Sequence, residues 1–197
     1  MPDWWQEWSD EHCIIVAAGK SATLEPLFAF KGAAKFIVVN NSWKLCPWAD
    51  ILYAADLNWW NTYDPRHAFK GLRVSSSKRA KNTLFLPTER GRRGIDFTPQ
   101  PVIGWANNSG FHALNLAVKF GCRKIHLVGF DMCGEHWHRD HAEPCSNPSN
   151  DLMVKWTEQF ELAAVQLRNR GIAVTNCSPI SRIEGFPRKD LLDAFLA

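Results

Sequence analysis

The chain has 197 residues, of which 46% are hydrophobic and 22% are charged. This composition is typical of a globular protein, and the length accommodates one well-buried domain but not two ordinary ones. The formal net charge of +3 comes without a dense basic block, so nucleic acid is not indicated as a partner. No apolar stretch reaches the ~20 residues that a membrane span requires.

The N-terminal segment, residues 1–12, is rich in tryptophan and acidic, whereas a signal peptide is basic and then apolar. The six cysteines are scattered along the chain. Without an export signal, reduced thiols in a cytoplasm are a better interpretation than a disulfide framework. We therefore expect a cytoplasmic protein, with its ten tryptophans used for interior packing and interface anchoring. A homo-oligomer stays open as one alternative.

Apolar runs and turn residues predict an alternation of strands and helices along the chain. Strands are predicted over residues 13–18, 35–40, 51–55, 72–75, 124–129 and 172–176, with a short edge strand over 83–86. Helices are predicted over 22–30, 109–120, 150–170 and 189–196. In the third helix, apolar residues recur at three- and four-residue steps from Leu152 and Trp156 to Leu167, which indicates a stripe facing the core.

Continuous apolar strands that alternate with helices are typical of a parallel sheet covered on both faces. We therefore predict an α/β fold in which residues 1–197 form a single Rossmann-like, doubly wound domain with a mostly parallel sheet and helices on both faces. Two long irregular segments, residues 78–105 and 133–148, interrupt this pattern. Such loops in a compact domain are typically lids or binding loops.

A turn of Gly19, Lys20 and Ser21 directly follows the first predicted strand. It is not a P-loop, because that motif requires a glycine at the position occupied here by Ile14. The backbone N–H groups and the Ser21 hydroxyl could still bind an anion at the start of the next helix. The alternative is a plain strand-to-helix turn in which Ser21 is the N-cap, and both interpretations stay open.

Polar residues follow several other predicted strands or open a helix. These are Asn40 with Asn41, Asp56, Asp131, and the group Asn107, Asn108, Ser109 and Gly110. Open α/β sheets bind ligands at the carboxyl ends of their strands, so residues that converge there are candidates for ligand binding. The sequence therefore predicts a ligand site at this edge.

The segment after Asp131 contains residues that can bind zinc: Cys133, His136, His138, His141 and Cys145. Their spacing matches no standard finger or zincin motif, so we predict no metal site. We predict instead a mobile lid that brings His136 or His138 to the site as a general acid or base. Surface histidines on a polar loop and a structural zinc site are the alternatives. Trp137 is the tryptophan that we expect to contact ligand.

Two blocks carry a resemblance to known families. Asn107-Asn-Ser-Gly-Phe-His-Ala-Leu-Asn-Leu-Ala117 and Gly121-Cys-Arg-Lys-Ile-His-Leu-Val-Gly-Phe-Asp131, with a following histidine, resemble a block of bacterial sialyltransferases. The same block is similar to that of archaeal 6-hydroxymethylpterin diphosphokinase-like proteins. The stretch Pro47-Trp-Ala-Asp-Ile-Leu-Tyr-Ala-Ala-Asp-Leu-Asn-Trp-Trp60 resembles tailed-phage and prophage proteins of this size, which implies a phage- or prophage-encoded protein in a bacterial host.

The sialyltransferase resemblance implies that Gly19, Ser21 and Asn40 hold the phosphate and sugar of a nucleotide donor. It further implies that Ser109 and Gly110 receive the cytosine end, and that His136 or His138 is the base. The diphosphokinase resemblance implies instead that Asp56 and Asp131 bind Mg²⁺ around ATP.

We therefore expect a small-molecule nucleotide ligand, with a nucleotide or nucleotide-sugar as donor, and glycosyl transfer that uses a loop histidine as base. Catalysis of this type requires mostly positioning and a base. One alternative is a Mg²⁺-dependent pyrophosphoryl transferase. Another is a non-catalytic nucleotide-binding protein that docks a partner through its Trp-rich N-terminal segment.

Overall fold

Nine strands and four α-helices follow one another in residues 1–89 and 94–197, the part of the chain that this computed structural model describes. The strands are β1 (His12–Val16), β2 (Lys35–Val39), β3 (Ile51–Tyr53), β4 (Leu72–Ser75), β5 (Leu84–Phe85), β6 (Thr88–Glu89), β7 (Ile103–Gly104), β8 (Lys124–Val128) and β9 (Ala173–Asn176). The α-helices are α1 (Leu57–Tyr63), α2 (Ser109–Lys119), α3 (Asn150–Arg168) and α4 (Leu191–Leu196).

Seven of the strands form one sheet in the order β5-β4-β3-β2-β1-β8-β9, and every neighbouring pair is parallel. The chain builds outward from β1 to β5 and then returns across β1 to place β8 and β9 on the other side. The direction of winding therefore reverses between β1 and β8. This arrangement confirms the predicted α/β class and the Rossmann-like, doubly wound sheet.

The apolar run of β1 explains why the sheet is covered on both faces. Cys13 and Ile15 point into one hydrophobic cluster, and Ile14 and Val16 point into the other. Side chains of a strand alternate between faces, so a run that is apolar throughout requires an apolar layer on each side. All four of these side chains are fully buried.

Different helices supply the two layers. The first cluster takes the buried faces of α2 and α3, where the rings of Phe111 and Phe160 meet edge to face at 5.4 Å. The second cluster takes Trp59 and Trp60 of α1 and Leu191 of α4. Helices on both faces were predicted, and the structure confirms this arrangement. None of the helices in the described ranges is both long and apolar enough to cross a membrane.

The local elements differ from the predictions in three places. The helix predicted over 22–30 is instead two 3-10 segments, Lys20–Thr23 and Leu27–Phe30, separated by Pro26, which lacks the N–H that a continuous helix needs. The helix α1 was not predicted, because seven residues are too few to show a helical period. The long loop over 78–105 contains the short parallel pair β6 and β7, while its residues 90–93 lie outside the described ranges.

The Trp-rich N-terminal segment packs against the end of α2. Trp4, Trp5 and Trp8 all contact the ring of Phe120 edge-on, and the Trp8 backbone N–H donates to the Phe120 carbonyl at 2.6 Å. Trp8 is buried. These tryptophans therefore serve interior packing, as predicted.

Candidate functional site

A cavity of about 760 Å³ opens at the carboxyl ends of β1, β2, β3 and β8. It lies where the winding of the sheet reverses, which is where open α/β sheets bind ligands. The start of α2 forms one wall, while the loop over 133–148 and the first turns of α3 form another. We call this cavity the cleft.

Most of the predicted ligand-binding and catalytic residues line the cleft. Those that do are Gly19, Asn40, Asp56, Asn108, Ser109, Gly110, Asp131 and His136. Four others lie outside its lining: Lys20, Ser21, Trp137 and His138. Tertiary structure thus brings together residues from five separate stretches of the chain, whereas their roles toward a ligand stay predictions.

Ser21 and Asp131 are bound to each other across 110 residues of chain. The Ser21 N–H donates to Asp131 Oδ2 at 3.0 Å, and the Ser21 hydroxyl donates to Asp131 Oδ1. Asp131 is only 1% exposed, and a buried carboxylate requires such partners. The turn after β1 therefore directs its donors at the protein's own carboxylate. Ser21 is not the N-cap either, because Gly19 occupies that position.

Gly19 is required by the close approach of the loops after β1 and β8. Its φ of −60° is open to any residue, so backbone freedom does not explain the glycine. A Cβ atom built there would lie 2.5 Å from Asp131 Cγ and 2.6 Å from the Gly129 carbonyl oxygen. The glycine thus makes room for the contact between Ser21 and Asp131.

We expect Gly19→Ala to lower the free energy of unfolding by about 1–3 kcal/mol, because the new methyl group must displace a backbone carbonyl or the Asp131 carboxylate. Urea denaturation measures this loss. Gly32→Ala is the control for backbone strain without a clash. A Cβ there meets nothing within 4 Å, so any loss of stability in this variant comes only from its φ of +83°, which disfavours alanine. If Gly19→Ala is as stable as the unmodified protein, the loops after β1 and β8 do not approach each other as closely as described.

The start of α2 presents free donors to the cleft. The Asn108 side chain caps the helix by accepting from the Phe111 N–H at 2.9 Å, and Ser109 Oγ accepts from the Ala55 N–H at 3.1 Å. Within the described ranges, the N–H groups of Ser109 and Gly110 have no hydrogen-bond partner. A helix N-terminus with free N–H groups favours an anion.

Four lining residues carry a buried polar atom without a hydrogen-bond partner in the described structure. These atoms are Asn40 Oδ1, His136 Nδ1, His141 Nδ1 and Trp156 Nε1. An unpaired buried polar atom costs about 1–3 kcal/mol. Because these atoms are shielded from solvent, a ligand in the cleft would satisfy them only if their side chains rotate toward it.

Trp156 was predicted to lie in the core-facing stripe of α3. Instead, Leu152 and Trp156 line the cleft, and the stripe becomes fully buried only from Phe160 onward. The three- and four-residue spacing is the same for both groups, so the sequence pattern could not separate them. Trp105 also lines the cleft and is 42% exposed. It was not predicted from the sequence to lie at the site.

The histidine loop, residues 133–148, is hydrogen-bonded to the body of the protein. The Trp137 N–H donates to the Ala18 carbonyl at 2.9 Å, and the Ala142 N–H donates to the Tyr63 hydroxyl at 2.9 Å. The Trp137 indole N–H donates to Ser42 Oγ at 3.3 Å, and the ring packs against the second cluster. The structure therefore places Trp137 in the packing beneath the loop.

Three histidines of this loop lie against one another. Their ring centroids are 5.1 Å apart for His136 and His138, 5.1 Å for His136 and His141, and 4.7 Å for His138 and His141. Burial, followed by the charges of the neighbouring histidines, lowers the pKa of His138 and of His141 to about 4. Burial also lowers the pKa of His136. All three rings are therefore neutral at pH 7, and in His138 the lone pair of Nδ1 accepts from the Asn41 amide group at 3.4 Å.

The other candidate metal ligands are engaged elsewhere. The Cys133 thiol donates to the Ile180 carbonyl at 3.3 Å, and the Cys145 thiol contacts Thr62 Oγ1 at 3.7 Å. For the magnesium alternative, both oxygens of Asp131 accept from Ser21, and Asp56 caps α1 by accepting from the Asn58 N–H at 2.8 Å. All six cysteines are unpaired.

The charged groups that line the cleft are acidic. Asp56, Asp131 and Glu135 contribute carboxylates, and no lysine or arginine of residues 1–89 or 94–197 is in the lining. Lys20 lies at the surface, where its ammonium group pairs with Glu135 at 2.9 Å. Among the residues that the structure describes, only N–H groups are therefore placed to bind a phosphate in the cleft.

Comparisons of the chain with protein-family models, with curated proteins and with solved structures find no match.

Proposed function

We propose that the cleft binds a nucleotide or nucleotide-sugar and that the protein transfers the glycosyl group of this donor to a hydroxyl acceptor. The observation that carries the proposal is the pair of free N–H groups of Ser109 and Gly110 at the start of α2, in a cleft of nucleotide size. A volume of about 760 Å³ suits a ligand of nucleotide size.

Each part of such a ligand has a matching group in the lining. The donor phosphate would accept from the Ser109 and Gly110 N–H groups, at the positive end of α2. Trp105 and Trp156 offer aromatic faces for a base. Asn40 Oδ1 and Trp156 Nε1 offer an acceptor and a donor for hydroxyl groups. The resemblance to bacterial sialyltransferases supports the same class of donor.

In the proposed reaction, the acceptor hydroxyl oxygen forms a bond to the anomeric carbon of the donor. The bond from that carbon to the phosphate oxygen breaks, and the nucleotide leaves with the electron pair. The acceptor proton passes to a ring nitrogen of His136, which acts as the base. Of the two histidines predicted as base, His136 lines the cleft and His138 does not.

The test of binding is isothermal titration of the purified protein with CMP, UDP, ADP and their sugar conjugates, supported by thermal shift. We expect one of these ligands to bind, and at 100 times its dissociation constant it should stabilise the fold by about 2.7 kcal/mol. Turnover is measured as release of the free nucleotide in the presence of hydroxyl acceptors. If none binds at millimolar concentration, the proposal is wrong. Binding without turnover on any acceptor would favour the non-catalytic alternative.

Asn40→Gly should weaken binding of that ligand by about tenfold, because it removes one hydrogen bond worth about 1–1.5 kcal/mol. Asn40 has a φ of +50°, which glycine adopts readily, so the fold should be unaffected. The matched control is Asn82→Gly, since Asn82 also has a positive φ, +57°, but is exposed and outside the cleft lining. Equal affinities for the two variants would remove Asn40 from the ligand site.

A further inference from the structure

We propose that His136, His138 and His141 form a three-histidine zinc site in the wall of the cleft. One ring nitrogen of each histidine lies within 4.8 Å of one from each of the others. The spacing of these histidines matches no standard motif and did not predict a metal site here. The tertiary structure shows the rings gathered at one point, which spacing alone did not indicate.

A tight turn of the backbone brings the three rings together. The Arg139 N–H donates to the His136 carbonyl at 3.1 Å, and Arg139 has a φ of +67°. In a tetrahedral site with Zn–N distances of about 2.0–2.1 Å, the ligand nitrogens are about 3.3 Å apart, so the rings need to close by no more than about 1.5 Å. Side-chain rotation on a surface loop provides movement of this size.

Each ring has a buried nitrogen that no protein group satisfies. His136 Nδ1, His138 Nε2 and His141 Nδ1 are all buried and without a hydrogen-bond partner in the described structure. Three such atoms in adjacent side chains are costly together, and one metal ion would satisfy all of them. For His138 Nε2 to bind the ion, the proton moves to Nδ1 and the 3.4 Å contact with the Asn41 amide breaks. This observation distinguishes the group from surface histidines, which water satisfies.

The ligand set favours zinc over magnesium or calcium. Imidazole nitrogens bind zinc and related transition metals, whereas magnesium and calcium prefer oxygen ligands. Three protein ligands leave the fourth position of a tetrahedral site open, as in catalytic zinc sites. Since His136 and His141 line the cleft, the open position would face the ligand.

The ion would also provide a positive charge, which no lysine or arginine of residues 1–89 or 94–197 supplies in the lining. The described lining contains three carboxylates and no lysine or arginine, although the proposed ligand carries phosphate. The ion would replace the single histidine base, because zinc lowers the pKa of a bound oxygen group so that its proton leaves to solvent. This role rests on the proposed function, whereas zinc binding itself does not.

The test is to strip the purified protein of metal with a chelator, remove the chelator, and titrate with Zn²⁺ alone by calorimetry. Elemental analysis then gives the stoichiometry, and Co²⁺ replaces Zn²⁺ to report tetrahedral geometry by its visible absorption. We expect one zinc per chain. We expect each of His136→Ala, His138→Ala and His141→Ala to weaken binding by more than 100-fold, because loss of even an outer-shell partner weakens metal binding by roughly 10–100-fold.

His138→Ala is the decisive variant. His138 lies outside the cleft lining, so a reaction that uses His136 alone as base does not need it, whereas the zinc site does. Loss of zinc in His138→Ala supports the site, and retention of zinc overturns it. His67→Ala, at an exposed histidine, and Cys133→Ser are controls that should bind zinc normally. Thermal melts of the metal-free variants show whether each one folds like the metal-free unmodified protein.

Two further outcomes would overturn the proposal. One is the absence of zinc binding by the unmodified protein at micromolar concentration, and the other is loss of zinc in Cys133→Ser. The proposed function fails separately, because nucleotide binding is measured by its own titration. Zinc bound without any nucleotide affinity would leave the metal site standing and remove the transferase proposal.

Discussion

Replacing Asp131 by alanine is expected to lower the free energy of unfolding by about 3 kcal/mol, since each hydrogen bond to a charged group contributes about 1.5–3 kcal/mol. The change removes both acceptors of Ser21, whose N–H and hydroxyl are themselves buried. It also removes the hydrogen bonds that join the loop after β8 to the turn after β1. Urea denaturation of the variant and the unmodified protein measures the difference.

Asp56→Ala is the matched control for this prediction. Asp56 also follows a strand of the same sheet, but it is exposed and accepts one hydrogen bond, as the N-cap of α1. Loss of an N-cap costs about 1 kcal/mol, so the control should be clearly the more stable variant. If Asp131→Ala unfolds at the same urea concentration as Asp56→Ala, the hydrogen bonds between Asp131 and Ser21 do not stabilise the fold as we expect.

Acidification is expected to destabilise the protein through His112. Burial lowers the pKa of His112 from its ordinary value of 6.5 to about 4. The Ala106 N–H donates to Nε2 at 3.4 Å, so the ring proton is on Nδ1, which lies 3.0 Å from the Tyr53 hydroxyl. Protonating Nε2 would break this arrangement inside the core.

The sign of the effect follows from the lowered pKa. Below pH 6.5 the unfolded chain takes up a proton at His112 while the folded chain does not, so stability is complete above pH 6.5 and is lost as the pH falls toward 4. The loss contributed by this histidine is about 3 kcal/mol, because each pKa unit corresponds to about 1.4 kcal/mol. His126, whose pKa burial also lowers to about 4, adds to the loss in the same direction.

The measurement is the free energy of unfolding in urea at pH 7 and at pH 4 for the unmodified protein and for His112→Gln. Glutamine can accept from Ala106 and donate to Tyr53 but does not titrate, so the variant should lose about 3 kcal/mol less on acidification. His67→Gln, at an exposed histidine, should behave like the unmodified protein. Parallel losses in the unmodified protein and His112→Gln would contradict the assignment.

The architecture of the sheet was predictable from the sequence because it depends on patterns within short segments. The run from Cys13 to Val16 is apolar at consecutive positions, and this pattern by itself requires two covering layers. In β8 the apolar residues Ile125, Leu127 and Val128 indicate a buried strand, although His126 lies between them. Chain order and the handedness of parallel connections then leave few ways to arrange such strands.

The interpretation of the turn after β1 was incomplete because its partner is distant in sequence. Gly19 and Ser21 look like an anion-binding turn when only their neighbours are considered. The donors of Ser21 and the absence of a Cβ at Gly19 are explained by Asp131, which is 110 residues away from Ser21. A contact over that separation leaves no mark in the local pattern.

The sequence by itself determined the fold class, the polar strand ends and the presence of metal-competent histidines in the loop over 133–148. Only the tertiary structure decided which of these residues meet: Asp131 with Ser21, Trp156 with the cleft, and three histidines with one another. The physical reason is that hydrophobic periodicity is repeated along a segment and can be seen there. A hydrogen bond or a ligand set depends on the positions of a few atoms, which are set only when the whole sheet has formed.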